Sequence, residues 1–347
     1  MIPVKGFAAE RVGAPLEPYA FQRRDPGDYD VLIDIQYCGI CHTDIHQVTN
    51  GWGGSVYPMV PGHEITGTVS KVGPKVTRYK IGDKVGVGCF VDSCRTCEPC
   101  KNGLEQFCSG GMVATYNGVE RDGHTRTQGG YSNKIVVDEN YVLRIPANLH
   151  LDRTSPLLCA GITLYSPLVH WRAGPGKKVG IIGLGGLGHI GVKIAHALGS
   201  EVTVFSHSRA KEIDATRMGA DRFYATSEQG TLENLKGYFD LLINTVSSPT
   251  DLNSYLEMLA LDGTMVLVGI PETEVPLGAF SLIGGRRSLA GSLIGGIKET
   301  QEMLDFCGKH NIECDVEVIP IQKVNEAYQR IIKSDVRYRF VIDSKSI

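Results

Sequence analysis

Short apolar and polar segments alternate through residues 1–150 of the chain, with Gly and Pro between them. Two of these segments, residues 30–35 and 65–70, have the apolar and β-branched composition that predicts strands. No long helix is needed in this region. The pattern therefore predicts that the first part of the chain is rich in short strands.

From about Leu157 onward, apolar runs alternate with stretches of helical spacing. Five of these runs predict successive strands, at residues 178–182, 201–205, 240–246, 264–269 and 288–292. Between the first two runs, four apolar residues recur every three or four positions and predict one apolar helix face: Leu187, Ile190, Ile194 and Leu198. Gly199 stands where the C-terminal cap of that helix belongs. Strands that alternate with helices predict a parallel sheet and hence the α/β class.

The length of 347 residues favours two domains, because one domain usually has about 100–200 residues. After Gly296, residues 299–310 predict a helix and residues 338–342 a last strand, which would return the chain to the first domain.

A content of 42% hydrophobic and 21% charged residues describes a globular chain and excludes general disorder. The net charge of -3 gives no attraction for phosphate backbones or anionic lipids, so neither nucleic acid nor membrane is an expected partner.

The cysteines and the N-terminus indicate a compartment. Residues 1–7 do not combine a basic stretch with an apolar run, so they do not predict a signal peptide. Uncharged stretches fall short of the ~18 apolar residues that a membrane span needs. Several of the ten cysteines have metal-site spacing. We therefore expect a soluble protein in a reducing cytoplasm, with thiolates bound to metal.

A glycine-rich segment closes the first predicted strand and opens the predicted helix: Gly183-Leu184-Gly185-Gly186-Leu187-Gly188. Gly183 permits a tight turn, Gly185 lets the backbone approach a pyrophosphate, and Gly188 allows close packing of helix against strand. The N-terminus of the helix offers N–H groups to the anion. This context favours a dinucleotide site over a glycine-rich turn that binds nothing.

The second predicted strand indicates which dinucleotide binds. Sites that prefer NAD place an Asp or Glu at the end of this strand, but this sequence places none there, and Glu201 is at the beginning of the strand. The far end carries hydroxyls, a histidine and cations: Ser206, His207, Ser208, Arg209 and Lys211. Such groups bind a ribose phosphate, which predicts NADP(H) over NAD(H). The alternative is that Arg209 and Lys211 only solvate the helix that follows.

Four cysteines stand within fifteen residues and predict a metal site: Cys94, Cys97, Cys100 and Cys108. Four thiolates form a closed tetrahedral zinc site, which stabilises a lobe and leaves no position open for chemistry. Free thiols or an iron–sulfur cluster are the alternatives, but nothing else in the sequence indicates electron transfer.

A second group of possible ligands is scattered through the chain, at Cys41, His63 and Cys159. Spacing alone does not unite these residues. Taken singly, His63 is an ordinary loop histidine and Cys159 a buried thiol, because free cysteine is among the most buried residue types.

One segment resembles the signature of zinc-dependent medium-chain alcohol dehydrogenases: Gly62-His63-Glu64-x2-Gly67-x5-Gly73-x2-Val76. The resemblance extends over essentially the whole chain, through Gly129-Gly130-Tyr131, Leu158-Cys159-Ala160-Gly161-Ile162-Thr163 and Gly291-Ser292-Leu293-Ile294-Gly295-Gly296. The sequence is most similar to the cinnamyl-alcohol-dehydrogenase-like branch, which includes bacterial broad-range aldehyde reductases that use NADPH. This closer match is carried by Cys41-His42-Thr43-Asp44, Pro156-Leu157-Leu158-Cys159-Ala160-Gly161 and residues 206–211.

The resemblance implies the fold and the domain boundaries. A GroES-like, β-rich catalytic domain with the structural zinc lobe would take residues 1–159 and 296–347. A Rossmann domain with a doubly wound parallel sheet would take residues 160–295 and bind NADP(H). A homodimer is implied as well.

The resemblance also implies a catalytic zinc bound by Cys41, His63 and Cys159, so that each chain binds two Zn2+ ions. Water, substrate oxygen or Glu64 would take the fourth position, although Glu64 has the alternative of pairing with a nearby Arg. Two thiolates and one imidazole leave the ion open as a Lewis acid for an aldehyde that accepts hydride from the nicotinamide. Thr43 followed by His46 would relay the proton to solvent, since histidine has an ordinary pKa of ~6.5.

Supporting roles follow from the same resemblance. Asp44 would orient His63 through its second ring nitrogen. His42 would approach the cofactor pyrophosphate, or be a surface loop residue. The residues implied near the nicotinamide are Thr163, Thr245, Val268 and Ser292. The candidates for an apolar substrate pocket are Trp52, Tyr57, Met59, Cys89, Leu293 and Ile294. Cys38, Cys307 and Cys314 are expected to be structural.

The expected function is therefore an NADP(H)- and zinc-dependent alcohol dehydrogenase that works mainly as an aldehyde reductase on aromatic or aliphatic aldehydes. One alternative is a catalytically silent nucleotide- and zinc-binding redox sensor. Another is a zinc-independent quinone reductase, which would not need the cysteine ligands.

Overall fold

The computed structural model describes residues 1–228, 230, 232–248, 250–271 and 274–347. The chain divides into two compact units. The first unit is Met1–Cys159 together with Gly295–Ile347, and the second unit is Ala160–Ile294.

The strands in the described part of the chain are β1 (Ile2–Ala8), β2 (Glu17–Arg23), β3 (Asp30–Gly39), β4 (Ile65–Val72), β5 (Lys84–Val87), β6 (Phe90–Asp92), β7 (Val113–Ala114), β8 (Lys134–Asp138), β9 (Leu143–Arg144), β10 (Lys178–Ile182), β11 (Glu201–Ser206), β12 (Arg222–Ala225), β13 (Phe239–Asn244), β14 (Leu259–Leu267), β15 (Ser288–Gly291), β16 (Val316–Pro320) and β17 (Arg339–Asp343).

The α-helices in those same ranges are α1 (His42–Val48), α2 (Glu98–Lys101), α3 (Leu151–Thr154), α4 (Ala160–His170), α5 (Gly188–Ala197), α6 (Glu212–Arg217), α7 (Leu252–Glu257), α8 (Ala279–Ile283), α9 (Ile297–His310) and α10 (Val324–Ile332). None of the described helices has the length and apolar character that crossing a membrane requires.

The first unit is built on a sheet with the strand order β16-β17-β3-β4-β5-β9, with β8 paired to β3. Most of its pairs are antiparallel, and β16 runs parallel to β17. The short strands and short helices before residue 150 confirm the predicted β-rich region. The last strand, β17, pairs with β3, so the C-terminal segment lies in the same sheet as the N-terminal part of the chain.

The second unit is a parallel sheet with the strand order β12-β11-β10-β13-β14-β15. The predicted parallel sheet and the α/β class are therefore confirmed. The five predicted strands correspond to β10, β11, β13, β14 and β15. The sequence analysis missed β12, because a strand of only four residues gives too short a pattern to stand out.

The predicted helix after β10 is α5, and its apolar face is buried: Ile190 and Ile194 have no exposed surface. Gly199 comes directly after Leu198, the C-cap of α5. Its φ of 89° is the left-handed conformation that a glycine at the C-terminal end of a helix adopts. The core on the other side of the sheet includes Phe205 and Phe239, whose rings meet edge to face at a centroid distance of 5.6 Å.

Candidate functional site

Four potential metal ligands meet in the interior of the first unit: Cys41, His63, Glu64 and Cys159. All four are buried, and one ligand atom of each lies within 4.8 Å of the others. The Sγ atoms of Cys41 and Cys159 are 3.9 Å apart. We call these four residues the ligand group.

The β3–β4 pair positions Cys41, His63 and Glu64 of the ligand group. Cys41 follows the end of β3 and His63 precedes the start of β4, and the two strands are antiparallel, with Cys38 opposite Ile65. The N–H of Gly39 donates to the carbonyl of Glu64 at 2.9 Å and carries this pairing beyond the strand. The pairing fixes Cys41 beside the His63–Glu64 segment, and Cys159 lies within reach of both.

The ligand group suits zinc. Two sulfurs that each lie about 2.3 Å from one tetrahedral ion are ~3.8 Å apart, close to the separation observed here. A hydrogen bond from Cys159 lowers the pKa of the Cys41 thiol well below its usual value, against the effect of burial. Two cysteines and one histidine are a catalytic zinc set that keeps one position open.

The carboxylate of Asp44 holds the two ligand segments together. Asp44 is fully buried and accepts hydrogen bonds from the N–H of Cys41 at 2.9 Å and the N–H of Gly62 at 3.1 Å. The hydroxyl of Tyr131 donates to the same carboxylate at 3.1 Å, and Nδ1 of His63 lies 3.3 Å from it. Nδ1 is thus occupied, which leaves Nε2 as the ring nitrogen for a metal.

Charge and burial act in opposite directions on His63. Burial alone would lower its pKa, but the Asp44 carboxylate raises that pKa well above the usual value. The ring of Tyr116 stacks on His63 at a centroid distance of 5.9 Å and is itself buried. The sequence analysis missed Tyr116 and named Tyr131 only within a motif of the resemblance, because an aromatic residue in a loop gives no spacing signal.

Glu64 pairs with an arginine, and the position of its second oxygen is compatible with the other role considered for it. Its Oε1 accepts a hydrogen bond from Nη2 of Arg339, which is 275 positions away in the sequence. The sequence analysis expected an arginine partner but did not say which arginine it would be. Its Oε2 has no hydrogen-bond partner in the described part of the chain and belongs to the ligand group. Burial raises the pKa of Glu64 to about 7, against the lowering effect of Arg339.

The residues considered for the proton relay lie on α1. Thr43 and His46 are half-buried, and His42 is exposed. The His46 ring stacks on Trp52 at 4.7 Å and lies 5.6 Å from the ring of His42. The relay itself stays a prediction.

The pocket candidates of the first unit differ in exposure. Trp52 is 41% exposed, whereas Met59 is 1% exposed and pairs through its backbone with Ala9, as a core residue does. Tyr57 donates its hydroxyl to the carbonyl of Val48 at 2.8 Å. Sγ of Cys89 lies 3.8 Å from the carbonyl oxygen of Leu158, next to Cys159. In the second unit, Leu293 is 44% and Ile294 9% exposed.

The four closely spaced cysteines also come together, at Cys94, Cys97, Cys100 and Cys108. Their Sγ–Sγ distances include 3.4 Å, 3.9 Å and 4.0 Å. Hydrogen bonds from the N–H groups of Thr96 and Cys97 lower the pKa of Cys94 to about 5. Four sulfurs of this kind fit a closed zinc site, as the spacing predicts.

The glycine-rich segment of the second unit forms the loop between β10 and α5. Gly183 has a φ of 94°, which favours glycine. A Cβ atom on Gly188 would collide with the carbonyl oxygen of Gly183, whereas one on Gly185 would meet nothing within 4 Å. The loop therefore requires glycine at Gly188 for packing and leaves open space at Gly185.

Several residues considered for cofactor binding lie at the same edge of the parallel sheet as this loop. Thr245 follows β13 and donates its hydroxyl to the carbonyl of Ile182 at 2.8 Å. Val268 and Ser292 follow β14 and β15. Thr163 is buried on α4. The carboxyl edge of a parallel sheet is where dinucleotides bind in this type of fold.

The loop after β11 contains the predicted cations. Lys211 donates from Nζ to the carbonyl of Leu184 in the glycine loop at 2.9 Å. Arg209 binds two carboxylates, Glu212 and Glu228. Glu228 follows β12, the strand that the sequence analysis missed, so this carboxylate beside the predicted phosphate contacts was missed as well.

Comparisons with known proteins agree with this geometry. The family model described as an alcohol dehydrogenase GroES-like domain matches residues 27–147, and the model described as a zinc-binding dehydrogenase matches residues 186–309. The chain is 58% identical to "NADP-dependent alcohol dehydrogenase C 1" of Mycolicibacterium smegmatis, over 100% of this chain and 99% of that protein. It is 51% identical to "Aldehyde reductase YahK" of Escherichia coli, over 99% of each chain.

Solved structures give the same result. A cinnamyl alcohol dehydrogenase from Sorghum bicolor has a TM-score of 0.96 and 46% identity, with 99% of this chain and 98% of that chain covered. A structure titled as CAD from Helicobacter pylori complexed with NADP(H) has a TM-score of 0.93 and 46% identity, with 99% of each chain covered.

Alanine substitutions at Gly188 and Gly185 should have different effects, the first on stability and the second on cofactor binding. Gly188→Ala should lower the melting temperature, because overpacking costs about 1–3 kcal/mol. Gly185→Ala should keep the melting temperature and weaken NADPH binding, because its methyl group points into space that the pyrophosphate would need. Differential scanning fluorimetry and calorimetric titration measure the two effects. Equal behaviour of both variants would contradict the assignment.

Asp44→Asn should weaken metal retention by the ligand group. The amide cannot accept all the hydrogen bonds that the carboxylate accepts, and replacing such an outer partner costs about 10- to 100-fold in metal affinity. Zinc per chain, measured by mass spectrometry after dialysis against a chelator, should fall toward one. Asp28→Asn, which removes an exposed carboxylate of the same unit, is the control and should retain two. Equal zinc contents in both variants would exclude the role of Asp44.

Proposed function

Because this chain belongs to the zinc-dependent medium-chain alcohol dehydrogenases, we propose that it transfers hydride between NADP(H) and aldehydes or primary alcohols, mainly as an aldehyde reductase. The observation that carries the proposal is the buried ligand group, in which ligand atoms of two cysteines, a histidine and a carboxylate lie within 4.8 Å of one another. We place the protein in the cinnamyl-alcohol-dehydrogenase-like branch. Relatives named for that activity and for aldehyde reduction align over nearly the whole chain.

The chain's own residues have distinct tasks. Cys41, His63 and Cys159 would hold the catalytic ion. When bound there, zinc supplies Lewis-acid polarisation of the substrate oxygen. Asp44 keeps the His63 ring in one orientation through Nδ1. Glu64, with one oxygen on Arg339 and the other in the ligand group, is placed to exchange with water or substrate at the fourth position.

Proton transfer needs a path from the site to solvent. We propose that Thr43 and His46 form it, with Thr43 next to the substrate oxygen and His46 toward water. Both are half-buried on the helix that starts directly after Cys41, and His46 stacks on the exposed Trp52. Imidazole is suited to this transfer because its proton exchanges near neutral pH.

Cofactor binding would rest on the second unit. The glycine loop and the N-terminus of α5 offer N–H groups to the pyrophosphate. Thr245, Val268 and Ser292 at the sheet edge would contact the nicotinamide half, together with Thr163. We assign the ribose phosphate to the segment Ser206–Lys211, which carries hydroxyls, a histidine and two cations.

A redox sensor that binds nucleotide and zinc without turnover is the weaker candidate. The ligand set of such a protein would not need an open position, whereas Cys41, His63 and Cys159 are a catalytic set. Relatives at 51% and 58% identity carry enzyme names.

We further propose a homodimer formed through the second unit. The strand β15 is an edge of the parallel sheet, and edge strands invite pairing with another chain. The helix α8, which precedes β15 in the chain, exposes two large apolar side chains, Phe280 at 85% and Ile283 at 69%. Contact with a second copy of the chain would cover them. Sedimentation velocity should give the mass of a dimer for the wild type and of a monomer for Phe280→Asp. A wild-type monomer would contradict the proposal.

The cytoplasmic location expected from the cysteine content stays a prediction.

An activity and metal panel on one sample tests the function. Wild-type protein should hold two zinc ions per chain, oxidise NADPH rapidly with benzaldehyde or cinnamaldehyde, and turn over far more slowly with NADH. Cys159→Ala should hold one zinc ion and lose turnover, yet still bind NADPH, because the glycine loop is untouched. Cys100→Ser, the control at the other site, should lower the melting temperature. Nucleotide binding without turnover across the aldehydes would favour the sensor.

A further inference from the structure

The guanidinium of Arg209 is engaged by two carboxylates. Nε and Nη2 donate to the two oxygens of Glu228 at 2.6 Å and 2.8 Å, a bidentate fork. Nη1 donates to the two oxygens of Glu212 at 3.0 Å and 3.1 Å. The donors that would recognise a phosphate are therefore already used by carboxylates.

Glu228 reaches this position through the pairing of β11 with β12. The ladder continues past the strands, since the N–H of Thr226 donates to Ser206 at 2.8 Å and the N–H of Ser227 donates to His207 at 3.1 Å. The residue after Ser227 thus comes to the loop after β11. This loop is the part of a doubly wound sheet that meets the adenosine ribose.

The two carboxylates on Arg209 work against a phosphate at this guanidinium, while Lys211 is the second cation of the same loop. Arg209, Glu212 and Glu228 together carry one net negative charge, and Arg209 lowers the pKa of Glu228, so this carboxylate is ionised at neutral pH. A phosphate dianion that arrives beside them meets repulsion and a guanidinium without a free bidentate edge. The phosphate can accept two hydrogen bonds from one edge of the Arg209 guanidinium only after one of the carboxylates has moved away.

The two carboxylates are not equivalent. Glu212 stands three residues after Arg209 and pairs with it within the same short segment. Glu228 comes from another strand and takes the bidentate edge, which is the geometry that a phosphate also uses. The side chains of Arg209 and Glu228 are 55% and 47% exposed, and ion pairs exposed to this degree exchange easily.

We propose that Glu228 is a specificity-determining residue that competes with the 2′-phosphate of NADP(H) for Arg209. The carboxylate reduces the affinity for the phosphorylated cofactor and leaves that for NAD(H) unchanged, so it sets the ratio between the two. This inference rests on the proposed function, because it takes NADP(H) as the cofactor of the second unit.

The test is Glu228→Gln in the full-length, zinc-loaded protein, with binding measured by isothermal titration calorimetry. The probes are NADPH and 2′,5′-ADP, which carry the 2′-phosphate, and NADH and 5′-AMP, which lack it. Glu228→Gln should bind the first two about two- to fivefold more tightly, the upper part of the range expected for an exposed ion pair, and the last two unchanged. Glu257→Gln, which removes an exposed carboxylate paired with Lys236, is the matched control and should change none.

A double mutant locates the effect. In an Arg209→Ala background, Glu228→Gln should no longer tighten 2′,5′-ADP binding, because the shared cation is gone. A gain that persists without Arg209 would overturn the proposal, and so would equal or weaker binding of 2′,5′-ADP by Glu228→Gln. If the wild type binds NADH more tightly than NADPH, the proposed cofactor fails first; if it prefers NADPH and Glu228→Gln changes nothing, only the role of Glu228 fails.

Discussion

The buried carboxylate of Asp44 is the contact on which the ligand group depends. It accepts hydrogen bonds from the backbone at Cys41 and at Gly62 and lies against His63, so one side chain fixes two ligand-bearing segments. A carboxylate without exposed surface is costly to bury, and it is tolerated only because each of its oxygens has partners. Removing those partners would leave a buried charge unpaired.

A second buried charge depends on the far end of the chain. Glu64 pairs with Arg339, which begins β17, and β17 lies beside β3 in the sheet with Val341 opposite Gly39. The N–H of Ile40 donates to the carbonyl of Phe340 at 2.9 Å and continues that contact toward Cys41. Breaking a buried ion pair by removing one partner costs about 3–5 kcal/mol, so the C-terminal strand is part of the site and not an appendage.

The parts of the site that could be predicted from the sequence are those whose residues are neighbours along the chain. The glycine loop and the four cysteines 94–108 have local spacing, and both predictions correspond to compact groups in the structure. Cys41 and Cys159 are 118 positions apart, so only family resemblance could join them. Arg339 and Glu228 had no such signal. Arg339 is brought to the site by a strand pairing across most of the chain, and Glu228 by β12, a strand of four residues that is too short to show in the apolar pattern.

The order of the two units along the chain has a consequence during synthesis on the ribosome. The second unit is a single uninterrupted stretch, Ala160–Ile294, and all strands of its sheet have been translated before the first unit has received its last strands. The first unit must wait for β16 and β17, and until then Glu64 lacks its cation and β3 has an unpaired edge. A nascent chain that stalls or is truncated after Ile294 would therefore contain all strands of the second unit's sheet, whereas the Glu64 carboxylate of its first unit would have no counter-charge from Arg339.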